Sequence, residues 1–132
     1  MKIRDFRELT VYQNAFQGQG AIFRLTKTFP TEERYSLTDQ VRRSSRSIGA
    51  NIAEAWRKRR YSAAFVSKLS DADAESAETT HWLDTALQCG YVEAEQHRTL
   101  SAQYNHICAQ LVIMMDAPEK WCREHEQKGG AR

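Results

Sequence analysis

Arginine is the residue type in this sequence best placed to act on a partner. Counted from Val41 at helical spacing, Arg42, Arg46, Arg57 and Arg60 fall within an arc of about 60°, with Arg43 about 40° further round. A guanidinium stays charged and its fork of donors matches a phosphate. Gly49 and Ala53 lie among these arginines and offer a small-residue floor that a phosphate backbone could approach. Arg57-Lys58-Arg59-Arg60 adds a cluster near the helix C-terminus, where cations also offset the helix dipole. The candidate nucleic-acid-binding set is therefore Arg42, Arg43, Arg46, Arg57, Lys58, Arg59 and Arg60. Few exposed aromatics are expected among them to stack single-stranded bases.

An acidic stripe lies further along. Asp71, Glu75, Glu78 and Trp82 fall within about 60° of one another on a helix, and residues 71–84 contain no Lys or Arg. It could meet the arginines inside the chain or across a subunit boundary. Exposed pairs contribute only about 0–1 kcal/mol each, so their use is register and partner choice. Ser44, Ser47, Asn51 and Glu54 form a second polar stripe beside an apolar seam, where polar groups are costly unless hydrogen-bonded. It reads as a contact between helices or protomers, with Glu54 meeting an arginine, in preference to a ligand site. Ser47, Gly49, Asn51, Glu54, Asp71, Glu75, Glu78 and Trp82 are the candidate interface residues.

Other chemistry finds little support. Glu78-Thr79-Thr80-His81 has the Glu-x-x-His spacing of di-iron bundles, but that site needs a second copy and two further carboxylates. Cys122 and His125 lack a partner pair at zinc spacing. His97 and His106 read as surface residues, and no nucleophile, base and orienting group converge. No metal, cofactor or catalytic residue is expected, and the chain reads as a non-enzyme.

The elements that must carry these residues are helical throughout. Period-2 alternation is absent and period-3.6 patterns fill most of the chain. The first helix is expected over about Phe6 to Thr28, its start open because Asp5 with Glu8 and Thr10 with Gln13 are both spaced as a capping box. Leu9, Tyr12, Ala15, Phe16, Ile22, Phe23, Leu25 and Phe29 cover an apolar arc near 200° against the roughly 100° of a surface helix, so that it buries two faces. Gly18 and Gly20 weaken it and allow a bend. The second is expected from Leu37 to Arg59 with Ser36 as N-cap and the stripe Leu37, Val41, Ser45, Ile48, Ile52, Ala55 and Trp56. The third runs from Ser62 to Cys89, ended by Gly90 as a left-handed cap. The fourth runs from Glu93 to Asp116 on Leu100, Tyr104, Ile107, Leu111 and Met114. Short connections imply an all-α, antiparallel up-down four-helix bundle. It occupies residues 1–127, with 128–132 a disordered tail. Surplus apolar surface on the first helix points to association into an oligomer, unless the segment around Trp121 folds over it.

The 132 residues fit one domain, 41% hydrophobic and 27% charged. No stretch approaches the roughly 18 apolar residues of a membrane span, and the charged start lacks a signal-peptide core. Three scattered cysteines build no disulfide framework and fit a reducing cytoplasm. Residues 1–68 carry a net +8 and residues 69–132 a net −6, so the basic half can face either an outside polyanion or the acidic half.

The run from Phe29-Pro30-Thr31-Glu32-Glu33 through Gln40-Val41-Arg42-Arg43 to Ser47-Ile48-Gly49-Ala50-Asn51-Ile52-Ala53-Glu54-Ala55 resembles the four-helix-bundle proteins encoded in 23S rRNA intervening sequences, the S23 family. The resemblance extends from Leu9 to Tyr91, with Ala55 where the family pattern has Gly and Ala74-Glu75 where Gly-Ser is common. It implies a non-enzymatic bundle assembling into a cyclic oligomer, a homopentamer. A relative of this family is the accessory protein of diversity-generating retroelements, which binds a reverse transcriptase and nucleic acid. The resemblance therefore implies itself, RNA or DNA, and a reverse transcriptase as partners. The alternative is a protein–protein adaptor whose charged stripes only build the subunit interface.

Overall fold

A computed structural model describes residues 3–123. The described chain is helical, with four long helices: α1 (Thr10–Thr26), α2 (Leu37–Arg57), α3 (Ser62–Gln88) and α4 (Ala94–Asp116). Single 3-10 turns at Phe6–Glu8, Thr31–Glu33 and Pro118–Lys120 flank or join them. Ascending positions on one helix meet descending positions on the next: Ser44 meets Thr79 and Glu54 meets Lys68, while Ser76 meets Tyr104 and Asp84 meets His97. The segment 128–132 lies outside the described residues.

The helix ends show which local interactions win. Of the two candidate capping boxes, Asp5 with Glu8 forms, but it opens the 3-10 turn, and α1 itself starts at Thr10. At the start of α2 the Ser36 side chain makes no cap. It donates instead to Glu33 Oε1 at 2.6 Å, and that same oxygen accepts the Leu37 N–H at 3.3 Å. A carboxylate one turn upstream thus does the capping. Gly90 takes φ of +77°, and the N–H groups of Gly90 and Tyr91 donate to the carbonyls of Leu87 and Ala86. That pair of bonds satisfies the last carbonyls of α3.

Glu33 reaches further. Its Oε2 accepts from the Tyr91 hydroxyl at 2.9 Å, tying the α1–α2 connector to the α3–α4 turn. The hydrogen bond to Glu33, reinforced by partial burial and by repulsion from the carboxylate, pushes ionisation of Tyr91 up to about 12. A spectrophotometric titration should show one tyrosine ionising near 12. Glu33→Gln should return it toward the ordinary 10; an unmoved titration would remove Glu33 as the cause.

Apolar stripes build a main core and a smaller cluster of Leu37, Ala86 and Val92 at one end of the bundle. On α2, the stripe from Leu37 to Trp56 is buried throughout, and so is the α4 stripe of Leu100, Tyr104, Ile107, Leu111 and Met114. On α3, Phe65, Leu69, Ala72, Ser76, Thr79, Leu83 and Ala86 face inward, while Leu87 turns out. Gly18 is a fitted part of this core and α1 runs unbroken through it. A Cβ there would lie 2.8 Å from the Tyr104 hydroxyl, so the missing side chain is what lets the Tyr104 ring pass under α1.

The expectation that α1 buries two faces does not hold within the chain. Val11, Ala15, Gly18, Ile22 and Thr26 are buried, but Phe16 and Phe23 remain 56% and 37% exposed. Nor does the segment around Trp121 cover them. It packs on α3, Cys122 is buried, and the Arg123 N–H donates to the Arg59 carbonyl.

Candidate functional site

The outward arginines of α2 divide into three groups with different fates. Arg43 is taken up inside the chain: its two terminal nitrogens lie 3.3 Å from Glu75 and 2.5 Å from Glu78 on α3. Glu78 also accepts the Trp82 indole N–H at 3.0 Å. Slight burial disfavours the Arg43 charge, but the two carboxylates outweigh it and raise its pKa further. Three of the four acidic-stripe residues singled out in the sequence thereby meet one arginine directly or through Glu78. The fourth, Asp71, shares Lys68 with Glu54 at 3.8 and 3.7 Å. Glu54 therefore meets a lysine, where an arginine was expected.

The second group is Arg42 and Arg46. Arg42 Nε donates to Thr26 Oγ1 at 2.7 Å, and that hydroxyl can give its own proton to the Ile22 carbonyl at 2.8 Å. The guanidinium carbons of Arg42 and Arg46 lie 4.7 and 5.8 Å from the centroid of the Phe23 ring, and Lys27 Nζ lies 4.7 Å from it. The π-face attracts each cation and so gathers three like charges around one ring despite their repulsion. Among the described residues, no carboxylate oxygen lies within 4.0 Å of Lys27, Arg34, Arg42 or Arg46. Beside this cluster is an open cleft of about 520 Å³ whose walls include Arg34, Tyr35, Asp39, Arg42, Arg43 and Arg46.

The third group sits at the other end of α2. Arg59 lies over Trp56, its guanidinium carbon 3.4 Å from the ring centroid, and its Nε donates to the Trp56 carbonyl at 2.8 Å. Arg57, Lys58 and Arg60 are exposed. Fifteen residues of helix separate Arg42 from Arg57, about 22 Å at 1.5 Å per residue. The arginine stripe is thus two basic patches.

Gly49, one half of the expected small-residue floor, is closed to a phosphate. Gly49 is buried under α1, where a Cβ would lie 3.5 Å from the Tyr12 ring and 3.7 Å from the Gln19 amide oxygen. Asn51 donates to the Ser47 carbonyl and hydroxyl at 2.9 and 3.2 Å, a local contact along one helix face. His81 is exposed with its ring 4.8 Å from Trp82, and His97 pairs with Asp84 at 2.7 Å. Among the described residues no three His, Cys, Asp or Glu side chains converge as metal ligands; His125 lies outside them. No described helix is long and apolar enough to cross a membrane.

Sequence reasoning missed Phe23, Lys27, Arg34 and Tyr35. Phe23 belongs to the apolar arc of α1 that the sequence reading buries, and the expectation of few aromatics among the arginines is corrected by it and by Tyr35, which is 86% exposed. Helical spacing could not have joined these residues to Arg42, because they lie on α1 and on the connector.

A family model described as 23S rRNA-intervening sequence protein matches residues 7–112. The chain belongs to that family. The matched span includes all of α1 to α3 and most of α4, and with them the cation cluster and the cleft. Among solved structures, the chain is similar to a protein of unknown function from the S23 ribosomal protein family of Bacteroides thetaiotaomicron. The two are 29% identical with a TM-score of 0.73, covering 80% of this chain and 95% of the other. Among curated proteins none matches. Membership of the 23S rRNA-intervening sequence family therefore brings the bundle with it, and its residues must supply any argument about activity.

Proposed function

We propose that this chain is a cytoplasmic, non-catalytic scaffold that assembles as a homopentamer and binds RNA or DNA through Arg42 and Arg46, joined by Lys27. The observation that carries the binding is the trio of cations held around Phe23 with no carboxylate within 4.0 Å among the described residues. Two arginines on successive turns beside a lysine fit consecutive phosphates, and their salt-screened attraction needs no base-specific contact. Arg57, Lys58 and Arg60 supply a second basic patch about 22 Å along the helix.

Arg42→Ala with Arg46→Ala should weaken binding of a labelled oligonucleotide at least tenfold at low salt. The slope of log affinity against log salt should fall by about 1.4, two single-strand phosphate contacts at about 0.7 each. Binding that ignores salt, or is undetectable, would turn the reading to the adaptor. The adaptor is the weaker alternative, because Glu75, Glu78 and Asp71 are already paired within the chain and less available to a neighbour's arginines.

Self-association is supported by Phe16 on α1 and by Ile113 on α4, 56% and 68% exposed. Light scattering at micromolar concentration should give about five times the chain mass of 15.2 kDa. A monodisperse particle of one chain mass would reject the assembly.

A further inference from the structure

We infer that the cleft beside Phe23 takes one unpaired nucleotide of a single strand, its base lying on Tyr35 and its phosphate on Arg42 and Arg46. This inference deepens the nucleic-acid reading above and rests on it. Three observations converge on a base as well as a phosphate. Tyr35 is 86% exposed, so its ring face is open to a stacking partner. Tyr35 lines the same cleft as Arg42 and Arg46, which have no carboxylate partner among the described residues, so a stacking surface and phosphate donors share one concavity. The cleft, open and about 520 Å³, is large enough to seat one nucleobase.

The arginines are held before any ligand arrives. Thr26 fixes Arg42 at Nε, leaving its two terminal nitrogens to donate, and Phe23 holds Arg46 close by. Asp39, on the cleft wall and in the first turn of α2, is an acceptor that a base amine could meet and a phosphate would avoid. The phosphate belongs with Arg42 and Arg46, and the base with the exposed ring of Tyr35. A duplex cannot use this arrangement, because its bases are stacked on one another and their faces are covered. Splayed single strands stack readily on aromatic side chains.

Fluorescence anisotropy with four probes tests this: a 12-nucleotide RNA, the same sequence as DNA, the RNA annealed to its complement, and an abasic strand with the same phosphates. Both single strands are expected to bind roughly tenfold more tightly than the duplex and the abasic strand, the size of one base–aromatic stack. Tyr35→Ala should erase that advantage and leave duplex binding unchanged, while Tyr35→Phe retains it. At 86% exposure neither variant threatens the fold. Equal affinity for all four probes, or a Tyr35→Ala protein indistinguishable from wild type, would overturn the inference and leave the phosphate reading standing. Absence of binding to every probe would overturn both.

Discussion

Gly18→Ala should destabilise the protein by about 2 kcal/mol, although alanine is the better helix former by about 1 kcal/mol. The added methyl would lie 2.8 Å from the Tyr104 hydroxyl oxygen and 3.1 Å from the ring carbon that bears it. Tyr104 is fully buried and cannot swing aside. Its hydroxyl also has no hydrogen-bond partner among the described residues, and burial pushes its ionisation well above the ordinary 10. Tyr104→Phe should therefore be stabilising by about 1 kcal/mol, since it removes a buried polar group with nothing to bind. In the double variant the closest clash disappears and the two substitutions should partly compensate. Urea unfolding of the four proteins measures the coupling. Additive losses would show that the hydroxyl is not what excludes a side chain at position 18.

Thr79→Val should cost about 2 kcal/mol, while Ser44→Ala should cost well under 1. The two hydroxyls are buried and 2.9 Å apart, but they are not equivalent. Thr79 Oγ1 lies 2.9 Å from the Glu75 carbonyl and gives its proton there, so Ser44 donates to Thr79. Without Thr79, Ser44 has only the Val41 carbonyl at 3.4 Å. Without Ser44, Thr79 keeps its good bond. Replacing both should cost less than replacing Thr79 alone, because no donor is then stranded. Denaturation midpoints at constant slope decide it; equal costs for the two single variants would contradict the assigned proton direction.

The helices were legible because each needs a stripe of apolar residues at a period that only helical geometry satisfies. On α4, five residues spaced four and three apart are the five that are buried. What the sequence concealed is mostly contact between elements. Glu33, not Ser36, caps α2, because the carboxylate can reach both the Ser36 hydroxyl and the Leu37 N–H. Gly18 and Gly20 look like one weakness along the chain, yet only Gly18 touches another helix's side chain. The site was half legible. Arg42 and Arg46 lie on one helix and could be found by spacing. Phe23, Lys27 and Tyr35 join them only after α1 and α2 pack, and no periodicity within one segment carries that information. Arg43 differs from Arg42 by 100° of helix rotation, and that turn alone sends it to Glu75 and Glu78.

Glu33 has a wider reach than its single capping bond. It stands in the connector that also carries Arg34 and Tyr35, and bonds to Ser36, Tyr91 and the Leu37 N–H hold its pKa below the ordinary 4.5. A depressed carboxylate lends its support above the unfolded value of 4.5 and withdraws it as pH falls through the lower folded value. At neutral pH that bracket is intact, and one of its anchors is Tyr91, 58 positions away along the chain. Damage to that distant tyrosine would leave helical content untouched and surface instead as a slackened grip on whatever lies against Tyr35.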